Sequence, residues 1–323
     1  MLRRTRTRWG MAGATALIVA LAPAAFAAGH AEVLVAFDPD QGQGPEGVAV
    51  DAEGSVYASF NTLGELVRIP AGSTEAEPFG MIEGLAEGDS GPYGIAIDAD
   101  GNVYSAAVSA NPEANGVWRF DAASGEATKV AGSEAMAFAN DVDVADDGTL
   151  YITDTIGGSI WRAVPGGPAE LWIEDELLAG TGEAGAGFPV GANGIDVDGD
   201  TVYVGVSEKA SVVAVPVNAD GSAGEPSLFA QLPELIDGIA IDAAGRVIST
   251  HPLANLVTRI GPDSELEVIA TVADGLDAPS SVALRANEDG STTAYVANNS
   301  IGFGTPLGNG PSILMLELPG QDG

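Results

Sequence analysis

A short run of apolar, mostly β-branched residues recurs six times along the chain, each time bounded by turn residues. The segments are PEGVAVD from Pro45, PYGIAID from Pro92, ANDVDV from Ala139, ANGIDVD from Ala192, IDGIAID from Ile236 and PSSVAL from Pro279. Their starts lie 47, 47, 53, 44 and 43 residues apart, a mean of 234/5, or about 47. That period is the size of a four-stranded propeller blade. Each run predicts a short buried strand, and a tight turn carrying Gly54, Gly101, Gly148, Gly199, Gly245 or Gly290 follows it. A second strand comes next, as in VYAS from Val56, LYIT from Leu150 and VIST from Val247. A third follows a loop, as in LVRI from Leu66, and a weaker fourth completes most units, as in AELWI from Ala169.

The last unit stops after its third strand, while an orphan strand, EVLVAF from Glu32, precedes the first unit. The orphan can supply the missing strand and close the ring, which removes sheet edges that would otherwise promote aggregation. The expected architecture is therefore all-β: a six-bladed β-propeller over residues 32–319, four antiparallel strands per blade, the last blade closed by the N-terminal strand. Antiparallel strands alternate direction, so the Gly turns share one rim. The starts of the inner strands, the loops after the second strands and the links between blades share the other. The long segments 83–92, 110–116, 175–191 and 301–311 fall on that second rim and mark it as the binding face. The Gly-rich stretch 180–191 reads equally as a lid or a solvated connector. Tyr57, Tyr104, Tyr151, Tyr203 and Tyr295 recur at one strand position and are expected to be packing residues rather than a stacking platform.

Composition narrows the chemistry. The chain lacks cysteine and has two histidines, His30 and His251, which excludes disulfides, thiolate sites and His-based zinc clusters. A net charge of −34 argues against nucleic acid or an anionic membrane as partner. Residues 1–27 read as a signal peptide: Arg3, Arg4, Arg6 and Arg8 precede a short apolar stretch and Ala25-Phe26-Ala27. That run is too short for a membrane anchor and is broken by Pro23. Its removal takes four arginines, leaving 12 − 4 = 8 basic against 46 acidic residues, a net −38. A secreted or periplasmic monomer is expected, with no membrane contact after processing.

The residue just before each inner strand points candidate chemistry at the channel mouth. In order these are Glu46, Tyr93, Asn140, Asn193, Asp237 and Ser280. Two carboxylates and two amide carbonyls form an oxygen-only set suited to Ca²⁺ or another hard divalent cation. Taken singly, Glu46-Gly47, Asn193-Gly194 and Asp237-Gly238 are ordinary turn dipeptides. Four donors at one equivalent position are harder to dismiss.

With these residues the chain resembles the senescence-marker-protein/gluconolactonase-like (regucalcin-type) six-bladed propellers, relatives of NHL-repeat and paraoxonase-type proteins. The match runs through Glu46 in GPEG, Asn140 in FAND, Asn193 in ANGI and Asp237 in DGIAID. The resemblance implies one divalent cation, usually calcium, held by those four side chains. Two departures weaken a sugar-lactone assignment more than the metal site. The residues before Asn140 are apolar where an Arg is often found, and Ile236 replaces a usual Pro.

The implied activity is lactone or ester hydrolysis, with a small-molecule substrate, Asp237 as base and His251 as a candidate proton carrier. A phosphotriester reading has the same Asp attack phosphorus. Asn61, Ser109, Asp154, Glu208 and Asn298 are further rim residues placed to assist. The alternative is a non-catalytic extracellular NHL-like propeller that binds a ligand or protein on its looped face. Apolar groups plugging the space above Glu46 and Asn193 would favour that alternative.

Overall fold

The computed structural model describes residues 31–318 except 87, 262–264, 302–306 and 308. The expected leader lies outside the described residues. The repeats form six four-stranded antiparallel sheets arranged as the blades of a propeller. Five blades use four consecutive strands; the sixth takes its outer strand, Glu32–Ala36, from the opposite end of the chain. That strand pairs with Ser312–Leu318, with Glu32 opposite Met315 and Ala36 opposite Ser312. The Gly turns sit where expected, Gly54, Gly101, Gly148, Gly199, Gly245 and Gly290 all taking φ between 57° and 93°, where a side chain would be strained.

The core is divided into six clusters, one between each pair of neighbouring blades. Alternation along a strand explains this. Val56, Ala58 and Phe60 face the sixth blade, while Tyr57 between them faces the second. Both faces of each blade are covered, so a second strand such as Val56–Phe60 is buried throughout. The periodic tyrosines pack as expected, Tyr57, Tyr151 and Tyr203 meeting Phe79, Trp172 and Phe229 edge-on at 5.0, 5.0 and 5.1 Å.

The inner strands Val48–Val50, Ile95–Ile97, Ala139–Val144, Ala192–Asp198, Ile239–Ile241 and Pro279–Ala286 surround the axis. Around this hub, neighbouring backbones touch. Gly94, Gly194 and Gly238 donate their N–H groups to the carbonyls of Asn140, Asp237 and Ser280 at 3.1, 3.1 and 2.7 Å. A Cβ on Gly47 would lie 2.4 Å from Tyr93 O, and one on Gly238 would lie 2.7 Å from Ser281 Cα. These glycines are therefore required for close approach between blades, and none of the three dipeptides owes its Gly to a positive φ.

Buried hydroxyls on the second strands complete the joints. Ser59 Oγ accepts from Gly47 N and donates to Tyr93 O, each at 2.7 Å. Thr153 Oγ1 accepts from Asp141 N at 3.0 Å and donates to Asn193 O at 2.7 Å. Thr250 Oγ1 accepts from Gly238 N at 3.0 Å and donates to Ser280 O at 2.9 Å. Ser280 Oγ donates to Glu46 O at 2.7 Å, which links the last blade to the first. Thr153→Val keeps the shape and deletes the joint between blades three and four. It is expected to cost roughly 1–3 kcal/mol of stability, read as a lower urea midpoint in EDTA; an unchanged midpoint would remove the hydroxyl joints from this account.

Candidate metal centre

Each rim donor occupies the same irregularity. In the first blade Glu46 N donates to Ser59 O and Ser59 N to Gly47 O, so two residues oppose one. Asp237 and Gly238 oppose Thr250 in the same way. The pairing of the third and fourth blades slips between Ala139 and Val142 and between Ala192 and Ile195, which brackets Asn140 and Asn193. A bulge of this kind re-aims one side chain off the sheet face. Here it turns four oxygen-bearing side chains into one cavity of about 610 Å³, which Glu46, Asn140, Asn193 and Asp237 all line. Tyr93 lines it too, while Ser280 is spent on the joint to Glu46 O. Among the described residues, a cavity thus lies above Glu46 and Asn193.

The hydrogen bonds fix how the amides point. Thr155 Oγ1 gives its one proton to Ala192 O at 2.7 Å, so it can only accept from Asn140 Nδ2, at 2.9 Å. Asn193 Nδ2 donates to Ser207 Oγ at 2.9 Å and to Asp237 Oδ1 at 2.8 Å. With both nitrogens anchored in the wall, the amide oxygens are the atoms left for the cavity. The carboxylates complete the set. Glu46 Oε2 and Asp237 Oδ2 are buried and have no hydrogen-bond partner among the described residues.

Two orphaned anionic oxygens cost several kcal/mol when ionised and unmatched. Burial, then the neighbouring Asp237 and Asp141, raise the Glu46 pKa well above its ordinary value. Burial pushes Asp237 up to about 7 against the opposing Asn193 hydrogen bond. A hard divalent cation would satisfy both oxygens and reverse this cost, so the donor set fits one. Among the described residues no group of three or more His, Cys, Asp or Glu side chains can hold a metal, so any such site here draws on the amides.

The remaining sequence candidates divide by strand parity. Asn61 lines the cavity as expected, but Asp154, Glu208 and Asn298 are one position out of register, and the side chains that line it are Thr155, Ser207 and Asn299. Asp154 instead accepts from Ala137 N and Phe138 N, each at 2.9 Å, and Ser109 bonds Asp89 at 2.6 Å. Asn298 Nδ2 donates to Gly275 O at 3.1 Å. His251 is fully buried within its blade, away from the cavity lining. Its Nδ1 lies 3.2 Å from Leu235 O and its Nε2 lies 2.8 Å from Thr258 Oγ1. Burial lowers its pKa below the ordinary value. The geometry therefore places His251 inside its blade and not among the side chains that line the cavity, where it was expected to carry protons. Phe188, Leu235 and Leu253 also line the cavity, as does Phe138 beside the Asn140 donor. No motif marks Phe188, Leu235 or Leu253, because their roles depend on how the rim loops fold inwards.

Deeper in the channel, Asp141, Asp143 and Asp196 line a central cavity of about 260 Å³. Each latches the next blade by accepting a backbone N–H: Ile195 at 3.1 Å, Val197 at 2.7 Å and Ile241 at 3.1 Å. Desolvation pushes Asp143 up to about 6, against the Val144 and Val197 N–H groups. Asp196 is raised well above its ordinary value by desolvation and then by Asp143.

These features define a class: a six-bladed propeller with a hard-oxygen donor ring at the mouth of its channel. The SMP-30/Gluconolactonase/LRE-like region model matches residues 112–298, more than half of the chain, and the protein belongs to that family. Asn140, Asn193 and Asp237 fall inside the match. Glu46 falls in residues 34–69, which match the strictosidine synthase-like N-terminal model. Among solved structures, a gluconolactonase from Xanthomonas campestris is 19% identical over 90% of this chain and 89% of its own, with a TM-score of 0.65. Regucalcin, a calcium-binding protein from Agrobacterium tumefaciens, is 18% identical over 86% and 91%, with a TM-score of 0.64. The PQQ-bound aldose sugar dehydrogenase of Streptomyces coelicolor is 17% identical over 89% and 97%, with a TM-score of 0.59. At such identities the likeness is one of fold. No curated protein matches the sequence.

The channel acids give a pH prediction whose sign is opposite to that of a surface carboxylate. A folded pKa above the unfolded value of 3.8 means that the native state binds the proton more tightly, so ionising Asp143 costs stability in full above about pH 6. Asp143→Asn is expected to raise the melting midpoint in EDTA at pH 8, by an amount that shrinks as pH falls from about 6 towards 3.8. A gap that widens on acidification would show that Asp143 is stabilised as the anion.

Proposed function

We propose that the chain is an exported, calcium-dependent hydrolase of the lactonase type. One observation supports this reading: two buried carboxylate oxygens, Glu46 Oε2 and Asp237 Oδ2, have no hydrogen-bond partner among the described residues and lie on a cavity that Asn140 and Asn193 also line. Membership of the SMP-30/Gluconolactonase/LRE-like family supports it. Glu46, Asn140, Asn193 and Asp237 would hold the cation. Bound there, it supplies a Lewis acid that polarises a carbonyl oxygen and offsets developing negative charge.

The chain's own residues supply the rest. Asn193 orients Asp237 through the bond to Oδ1, and in turn is anchored by Ser207. Asp237 takes a proton from the water whose oxygen attacks the lactone carbonyl carbon. The ring C–O bond then breaks, and that proton passes to the departing alkoxide oxygen, giving a hydroxy acid. His251 positions the third strand of its blade through Thr258 and exchanges no proton with substrate.

Calorimetric titration of the EDTA-stripped protein is expected to show one calcium bound, with affinity falling at least about a hundredfold in the Glu46→Gln/Asp237→Asn double variant. Failure of the wild-type protein to bind calcium would overturn the metal centre. Asp237→Asn alone is expected to lower lactone turnover by about 10²–10⁴-fold while its EDTA melting midpoint does not fall. Turnover within a few-fold of wild type would dismiss Asp237 as base.

A further inference from the structure

The wall above the metal centre differs in character from its floor. Apart from Glu46 and Asp237, none of the described residues lining the cavity carries a charge. Tyr93, Phe138 and Phe188 form a continuous aromatic wall, with ring centroids 5.2 and 5.7 Å apart. Leu235 and Leu253 also line the cavity. Apart from the four donors, Asn61 is the one described polar side chain lining the cavity that no hydrogen bond engages. Thr155 and Ser207 hold the two amides, and Tyr93 OH lies 2.6 Å from Ser90 Oγ. A polyhydroxylated ring placed here would lose water and gain few partners, and each unmet hydroxyl weakens binding. An alkyl or aryl substituent would lose nothing comparable and would bury its surface against the rings.

Phe188 reaches this wall from the segment 181–190, which is built to hold one shape. Its two ends cross at backbone contact, since a Cβ on Gly180 would lie 2.6 Å from Val190 N and one on Gly191 would lie 2.5 Å from Leu178 O. Glu208, on the adjoining loop, then ties the segment down. Its Oε2 accepts from Thr181 N at 2.5 Å and Gly182 N at 2.6 Å, and its Oε1 accepts from Ala184 N at 2.8 Å. Three consecutive-region amides converging on one carboxylate fix the backbone that carries Phe188.

We infer that the site selects lactones or esters bearing an apolar alkyl or aryl substituent over polyhydroxylated sugar lactones, with the substituent lying on the Tyr93–Phe138–Phe188 wall. Glu208 is the positioning residue for that wall. The inference rests on the hydrolase reading for the reacting group but not for the pocket, so its test uses ligands that are not hydrolysed. Calcium-loaded protein is titrated with δ-valerolactams carrying propyl, pentyl and heptyl chains, and with gluconolactam. Affinity is expected to rise about three- to fourfold per added methylene, with gluconolactam the weakest ligand. Phe188→Ala is expected to flatten that slope, lowering affinity for the heptyl lactam on the order of tenfold. Glu208→Gln is expected to lower affinity by a factor that grows with chain length, whereas a general loss of stability would scale all the lactams alike. Gluconolactam binding as tightly as the heptyl lactam, a flat wild-type series, or an undiminished slope in Phe188→Ala would each overturn the assignment. A rising series with no lactone hydrolysed would leave the pocket assignment standing and remove the hydrolase reading instead.

Discussion

Six blades can share one axis only where their inner strands come within hydrogen-bonding distance of one another, and this approach governs the residues around the hub. At Gly47, Gly94, Gly194 and Gly238 a Cβ would collide with the next blade, and at the last three the freed space admits an N–H bond to that blade's carbonyl. Where the third blade places Asp141 instead, its side chain fills the gap beside Gly94 and its carboxylate takes over the bridging role by accepting from Ile195 N. The hydroxyls of Ser59, Thr153 and Thr250 stand on the second strands at the matching level and use both of their hydrogen-bonding capacities across the joint. Hydrophobic clusters between the blades supply most of the driving force. The polar joints decide the spacing.

The donor ring is a by-product of that joint. A bulge is needed for the residue after each donor to turn towards the neighbouring blade, and the same bulge throws the donor's side chain over the channel mouth. Equivalent positions therefore converge whether or not they carry useful groups. Tyr93 shows this, standing at the same level with an aromatic ring. What distinguishes the site is the anchoring of the amide nitrogens by Thr155, Ser207 and Asp237, which leaves oxygen atoms for the cavity.

Much of this was legible in the repeats. The period, the Gly turns and the orphan strand at Glu32 lead to the ring and its closure without any knowledge of contacts, because strand number and turn chemistry are local properties. The donor level was legible for the same reason, since Glu46, Asn140, Asn193 and Asp237 keep one offset from their strands. The next layer was not. At the ends of the second strands the side chains alternate between cavity and blade, so an error of one residue exchanges Ser207 for Glu208, Asn299 for Asn298 and an imidazole inside the blade for one at the site. Phe138, Phe188 and Leu253 belong to loops whose course is set by tertiary contacts such as the Glu208 clamp, and no periodicity records those.

An apolar roof over an anionic floor has one electrostatic consequence. Burial beneath the rings lowers the local dielectric, which raises the proton affinity of Glu46 and Asp237 and, on the metal-centre reading, would strengthen their attraction for a cation. A chain charge of −34 extends the same negative potential. A neutral lactone crosses that field without hindrance, whereas the hydroxy acid formed from it is an anion. On the hydrolase reading, the field that draws in the cation also opposes rebinding of the product, so the acidic composition and the reaction favour the same direction.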